Sequence, residues 1–512
     1  MIVFYHNKYR ITQIVSTTAG DFTDGIHQDI IAGLFDYAGK FENEILVWCD
    51  ESQKDNLNIP EIESLFHHRK FLFSYNPNQW NYFDTRIGFV EDSLYINVNK
   101  EVRYPTWQMS GVVGAVHTSI MNACKDQLTT KDNFDYFLNS FAKQAMNAGL
   151  FCYSEPRLLL HKKASASPKS NLTELFKFTR QHYRPRWVFL LFLNLIIFEK
   201  KFPLLQFMIS WFYIKRKFDP KLLNQIPLQS GKKMVELGTI DVLIPTIGRR
   251  DYLLDVLKNL ENQTHLPKNV IIVEQNPLEG SESELDYIHN KKWPFVIKHH
   301  FTHQSGACNA RNIALKLVES EFTFFADDDI IFGNDLLENT LKTFQDTGNE
   351  ALLVAIHLKS QTIIPEAPKQ FPVLGTSHAF VKSSSFKGLE FNMGFEFGFG
   401  EDNDFGMQIR NRGFDVLYIS TLTILHLKAP MGGFRTKPVL RWHADEIQPK
   451  PSPTVMLYRL LYDTEEQLQN YKSMIFIKNL NSSFFKNPFR YTRNFRQKWD
   501  RSIHWAKELN KQ

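Results

Sequence analysis

"IDVLIPTIGRRDYLLDVLKNL", Ile240 to Leu260, contains the change of period on which the fold turns. Ile240 to Thr246 is a short apolar run that stops at Pro245 and Thr246. Leu253, Val256, Leu257 and Leu260 then recur at helical spacing. A buried strand followed by an amphipathic helix is the building unit of an α/β fold. The unit repeats outward. "NVIIVE" (Asn269 to Glu274) and "FVIKHHF" (Phe295 to Phe301) read as the next strands, and Ala310, Ile313, Ala314 and Leu317 form a helical stripe leading into "FTFFA". This alternation predicts a mostly parallel, Rossmann-like sheet covered on both faces. Ligands of such sheets gather at the carboxyl ends of the strands, where Pro245, Glu274 and Asp327 to Asp329 fall.

The last of these ends, "FFADDDIIF" (Phe324 to Phe332), sets three carboxylates side by side. Adjacent negative charges repel and resist burial, so a divalent metal, a basic side chain or water must offset them. A second acidic cluster, "GEDND" (Gly400 to Asp404), opens a helix, where carboxylates also oppose the helix dipole. Two separated clusters suit two jobs. One binds Mg²⁺ or Mn²⁺ together with phosphate oxygens. The other stays free to take a proton, which a metal-bound carboxylate does poorly.

The first 160 residues repeat the pattern more weakly. "MIVFYH", "EILVWCDES" and "KFLFSYN" are strand-like, with a helix from Ile26 to Phe41. Gly111 to Met121 parallels Phe371 to Val381, and Asp132 to Lys162 parallels Glu401 to Lys428. This predicts a tandem duplication whose first copy lacks the triplet, with Glu91 and Asp92 as its nearest acidic pair and Asp132, Asp135 and His161 echoing the second cluster. Between the copies, Arg184 to Lys217 holds two apolar runs split by Glu199, Lys200, Lys201 and Pro203, each short of the roughly 18 residues of a spanning helix. Basic flanks and Trp187, Trp211, Phe212 and Tyr213 suit a hairpin in a headgroup region; a buried helical pair is the alternative. "APMGGF" (Ala429 to Phe434) reads as a loop. In the tail, Phe484 to Glu508, Phe495, Trp499 and Ile503 share one helical face, as a membrane-surface helix or one packed on the protein would have it.

Composition bounds the rest. Of 512 residues, 43% are hydrophobic and 22% charged, as in ordinary folded proteins, and a net charge of +5 is too mild to argue for nucleic acid. Cys49, Cys124, Cys152 and Cys308 lack metal-ligand spacing, and no secretory signal precedes "MIVFY", so a reducing, cytoplasmic setting is expected.

Taken in order, "IDVLIPTIGR", "VIIVEQN", "ACNARNIAL", "FFADDDI", "GFGEDNDFGMQIRNRGF" and "ILHLK" resemble the nucleotide-sugar-dependent glycosyltransferases of family 2, which have the GT-A fold. The resemblance covers Thr239 to Lys428. It implies two tandem GT-A-like domains: a degenerate copy at 1–165, a helical hairpin and linker at 166–238, a catalytic domain at 239–435 and a helical basic-aromatic region at 436–512. It further implies that Pro245 and Thr246 border the nucleoside and that Glu274 stands where the family places a base-reading Asp. Arg311 would lie near the ribose or diphosphate, with Asp327 and Asp328 beside the donor. Asp327, Asp329 and His426 would hold Mn²⁺ or Mg²⁺. Asp402, next to Glu401, would be the catalytic base. The expected reaction is inverting transfer from a UDP- or GDP-linked sugar to a glycan or lipid-linked acceptor, by an enzyme peripheral on the inner face of the cell membrane. A nucleotidyltransferase would need a Gly-rich loop after the first strand, where "PTIGRRDYLL" offers one Gly, and a non-catalytic glycan- or membrane-binding scaffold would not need both acidic clusters.

Overall fold

A computed structural model describes residues 1–93, 96–429, 439–480 and 485–511. The chain forms two compact units, Met1–Gly231 with Asp463–Ile475 and Lys232–Tyr462 with Phe476–Gln512. The loop expected at Ala429 to Phe434 lies, beyond Ala429, outside the described residues.

In the first unit, β1 (Ile2–Asn7), β2 (Arg10–Ser16), β3 (Gly20–Phe22), β4 (Ile45–Asp50), β5 (Phe71–Tyr75), β6 (Tyr104–Pro105), β7 (Val113–His117) and β8 (Phe151–Ser154) make one sheet. Its order is β3, β2, β1, β4, β7, β5, β8, β6. The expected helix runs over Ile30–Lys40, started by Asp29, whose side chain accepts from Ile31 N. Helices Leu172–His182, Pro185–Glu199 and Leu204–Ser210 complete the unit, so the connector folds with the first sheet.

In the second unit, β9 (Ile240–Thr246), β10 (Asn269–Gln275), β11 (Val296–Thr302), β12 (Phe322–Ala326), β13 (Ile330–Phe332), β14 (Ala351–His357), β16 (His378–Lys382) and β17 (Val416–His426) follow the order β11, β10, β9, β12, β16, β14, β17, β13, and β15 (Lys369–Gln370) pairs with β17. The first four are mutually parallel, and β14 and β17 continue in the same direction beyond the reversed β16. The central strands carry near-continuous apolar runs because helices cover both faces; Val270 to Val273 are fully buried.

The two units share one ladder. β1, β4, β7, β5, β8 and β6 correspond in order and direction to β9, β12, β16, β14, β17 and β15. Helix Phe134–Ala145 before β8 corresponds to helix Glu401–Arg410 before β17. Each is followed by a glycine in the left-handed region, Gly149 at φ +87° and Gly413 at φ +92°, where a Cβ would be strained. The ladder corrects the register read from sequence: Val113–His117 matches His378–Lys382, five residues beyond the expected alignment. It also finds the first unit's counterpart of the triplet. Cys49 pairs with Val113 as Ala326 pairs with His378, so Asp50, Glu51 and Ser52 stand where Asp327, Asp328 and Asp329 do. β2 and β3 replace β10 and β11 with an antiparallel hairpin.

Candidate active site

Aromatic packing fixes the end of β12. Phe324 lies flat on Phe380 at 4.1 Å, and Phe325 meets Phe386, Phe391 and Phe405. The strand therefore delivers the triplet into a cleft of about 340 Å³ at the carboxyl ends of β9, β10 and β12. Pro245, Thr246, Arg311, Asp327, Asp328, Asp329, Glu401 and His426, distant in sequence, all line it.

Each carboxylate of the triplet is offset differently. Asp328, almost fully buried, accepts from Thr246 Oγ1 at 2.7 Å and Arg249 Nη1 at 2.6 Å. Asp329 Oδ2 accepts from Ala429 N at 2.9 Å. Its Oδ1 lies 3.2 Å from His426 Nε2 and is buried, with no hydrogen bond among the described residues. Asp327 faces only the distant guanidinium of Arg311, at 3.9 Å. Burial first, and then Asp328, Asp329 and Asp402, push its carboxyl upward against the pull of Arg311. Donor atoms of Asp327, Asp329 and His426 lie within 4.8 Å of one another. Two carboxylates and an imidazole suit Mn²⁺ or Mg²⁺, and the orphaned Asp329 Oδ1 is the kind of buried acceptor that such an ion satisfies. Arg311 is likewise incomplete: buried, 3.9 Å from both Asp327 and Glu401, with Nε and Nη1 lacking hydrogen bonds.

The second acidic cluster occupies the first turn of helix Glu401–Arg410. Gly400 N donates to Glu401 Oε2, and burial followed by the adjacent Asp402 raises the Glu401 carboxyl. Asp402, the next residue along, accepts from the Thr376 hydroxyl through Oδ1. It is not among the residues lining the cleft, but its charge acts on Arg311 and Asp327. Glu274 also stands back from the cleft. Its carboxylate accepts from Ser283 Oγ (2.5 Å) and Glu284 N (3.0 Å) and lies 2.9 Å from His299 Nε2, while the next residue, Gln275, reaches the cleft.

Arg249, Gly306 and Glu396 line the cleft, and Thr376 stands behind it at Asp402, without a signal in the sequence that singles them out. Arg249 lies in the quoted opening stretch, but its partner Asp328 is far along the chain. Glu396 caps helix Ala307–Leu315 by accepting from Cys308 N (3.1 Å) and Asn309 N (2.8 Å). Gly306, at φ +139°, makes room for it: a Cβ there would fall 2.3 Å from the Glu396 carboxyl carbon. Thr376 has no sequence signal beyond preceding β16.

In the first unit the corresponding groups are absorbed by protein contacts. Asp50 accepts from Ser52 N and Oγ, and Glu51 from Asn7. Asp135 accepts from Tyr9 OH and from Gly111 N at 2.8 Å, and burial pushes its carboxyl up to about 6. Glu91 takes Trp107, Tyr183 and Lys143, and Asp132 takes Lys177 and Arg216. The His161 side chain is exposed.

Residues 241–401 match the family described as glycosyl transferase family 2. A stretch of 118 residues is 29% identical to the minor teichoic acid biosynthesis protein GgaB of Bacillus subtilis (strain 168), covering 22% of this chain and 13% of that protein. Another of 116 residues is 24% identical to an uncharacterized glycosyltransferase of Rickettsia bellii (strain RML369-C), covering 23% and 16%. The matches thus span less than a fifth of the length of these relatives. Among solved structures, S. aureus TarS 1-349 in complex with UDP-GlcNAc aligns with a TM-score of 0.36 and 17% identity over 53% of this chain and 88% of that one. GalNAc-T7 with UDP, GalNAc and Mn²⁺ gives a TM-score of 0.36 and 11% identity over 53% and 56%.

Proposed function

We propose, on the premise that residues 241–401 form a family 2 glycosyltransferase domain, that this protein is an inverting, metal-assisted glycosyltransferase. It moves a sugar from a UDP- or GDP-linked donor to a hydroxyl of a surface-glycan acceptor, polysaccharide or lipid-linked, with residues 239–435 as the catalytic domain and the first unit non-catalytic. Kinship with a teichoic acid biosynthesis protein supports the acceptor class. Peripheral contact with the inner face of the cell membrane, where a lipid-linked acceptor would lie, belongs to the same reading.

The observation that carries it is the division of labour around one cleft: an incomplete cation site at Asp327, Asp329 and His426, set apart from the Glu401 carboxylate that lines the cleft and from Asp402 just behind it. Asp327, Asp329 and His426 would hold Mn²⁺ or Mg²⁺, which when bound supplies positive charge to the departing nucleoside diphosphate. Arg249 keeps Asp328 neutralised so that the remaining acidic charge is directed at a cation. Arg311, with two unpaired N–H groups, binds the ribose or diphosphate oxygens. Asp402, oriented by Thr376, takes the proton of the acceptor hydroxyl as its oxygen attacks the anomeric carbon and the bond to the diphosphate breaks.

Calorimetric titration of UDP and GDP with and without Mn²⁺ tests the donor half. Binding is expected to require the ion and to be lost in Asp329→Asn; ion-independent binding, or an unaffected variant, overturns the metal assignment.

A further inference from the structure

Beyond the cleft, the least explained surface of the described residues is the helical hairpin of the first unit. Its inner side is used: Val188, Leu191 and Leu195 are fully buried, and Asn194 is hydrogen-bonded to Asn470 and Ser473. Its outer side is not. Phe189, Leu193 and Ile197, spaced four residues apart on Pro185–Glu199, are 54%, 36% and 42% exposed, and Leu205, Met208 and Phe212, on or just after Leu204–Ser210, are 65%, 57% and 86% exposed. Single exposed apolar side chains are ordinary, but a contiguous set on two adjoining helices needs an occupant.

We infer that this face docks on an anionic lipid bilayer, entering the headgroup and upper acyl region without crossing. This deepens the membrane contact proposed above and rests on that localisation, not on the transfer chemistry. The helices have 15 and 7 residues, and no helix among the described residues is long and apolar enough to span. Charge selects the occupant. From Arg184 to Lys217 the one acidic residue, Glu199, is bonded to Arg86 and Lys201. Exposed Arg184, Arg186, Lys200, Lys215 and Lys217 flank the apolar face at its ends and its turn. Apolar side chains framed by bases match an anionic interface, whereas a second copy seated face to face would oppose like charges. The C-terminal helix is not an equivalent candidate, because its apolar side chains Trp499, Ala506 and Leu509 are buried and the exposed Phe489 stands in its first turn, apart from them.

Cosedimentation of the full chain with phosphatidylcholine vesicles, with and without phosphatidylserine, tests the surface. Binding is expected with the anionic vesicles and should weaken at least about tenfold in the triple variant Leu205→Ser, Met208→Ser, Phe212→Ser. Phe485→Ser with Phe489→Ser, exposed elsewhere at 81% and 87%, should leave it unchanged. Equal binding of the triple variant overturns the inference. So does a wild-type dimer in sedimentation velocity that the triple variant dissolves, since the occupant would then be a second copy. Nucleotide-sugar hydrolysis in vesicle-free solution separates the two readings: its persistence with failed vesicle binding rejects the surface alone, and its absence in wild type rejects the transferase.

Discussion

Asp402→Asn isolates the proton-transfer step. The exchange keeps side-chain shape and removes the charge that would accept the proton. Its structural cost is bounded by what Asp402 touches: a charge-assisted bond from Thr376 becomes a neutral one, and a negative charge leaves the first turn of Glu401–Arg410. Together these amount to less than about 2 kcal/mol, a few degrees of melting temperature. The catalytic cost is larger: losing a positioned general base lowers the rate by about 10²- to 10⁴-fold, or ~2.7–5.5 kcal/mol in activation free energy. Because Asp402 does not line the cleft, donor affinity should stay within about twofold of wild type. The assay is transfer from radiolabelled nucleotide sugar to an acceptor glycan, beside calorimetric donor binding on the same preparations. A variant that keeps more than a tenth of wild-type turnover refutes the assignment. Glu401→Gln is the paired measurement, since Glu401 faces the cleft and Arg311. If it, and not Asp402→Asn, stops transfer with binding intact, the base is Glu401.

Two further outcomes follow from buried charges. Arg249→Ala strands Asp328, whose side chain is 4% exposed, and should cost about 3–5 kcal/mol in denaturant unfolding; adding Asp328→Ala should recover part of it, and a fully additive double variant would deny the coupling. Asp135 has a folded pKa of about 6 against an unfolded value near 3.9, so the native state holds an extra proton between them. Its stabilising contribution is complete below pH 4 and is lost as pH rises through 6, by ~3 kcal/mol. The stability gap between wild type and Asp135→Asn should therefore narrow from pH 4 to pH 7, or reverse, and a gap that is constant with pH contradicts the shift.

What was legible in the sequence was local. Apolar runs marked β9, β10 and β12 because each is a single buried strand with its own end signal, and the strand ends then placed the triplet; β11, a half-exposed edge strand, was legible from its short run alone. β2 was not expected: "RITQIVS" is a short run whose pairing with β1 is a tertiary matter. The pairing of Arg249 with Asp328 spans 79 positions and leaves no periodic trace. The tail shows the same limit. Its apolar face was visible as Phe495, Trp499 and Ile503, but what covers it was not. Trp499 is 2% exposed and Phe495 meets the Phe476 ring at 5.1 Å, so this face packs in large part on the protein, the second of the two arrangements read from the sequence.

The contrast between the units explains why, among the described residues, one ladder brings together an Asp327, Asp329 and His426 cluster that could hold a cation and the other brings together none. Asp329 and His426 meet because β13 follows the triplet at once and pairs Ile330 with His426. β13 has no counterpart among the described residues of the first unit, where Asp50 to Ser52 lead instead into a turn that Asp50 itself caps. There the position of Asp329 is Ser52, and β8 stops at Ser154, well short of the extent of β17. The first unit thus loses the ligand, the strand that would present it and the imidazole together, while keeping Asp135 in the place of Asp402. That carboxyl is buried and accepts from Tyr9 and Gly111, so its oxygens are spent on protein contacts. Of the three adjacent charges in the second unit, Asp328 is met by Thr246 and Arg249, while Asp327 and Asp329 are left incompletely paired, which is where the proposed cation would sit.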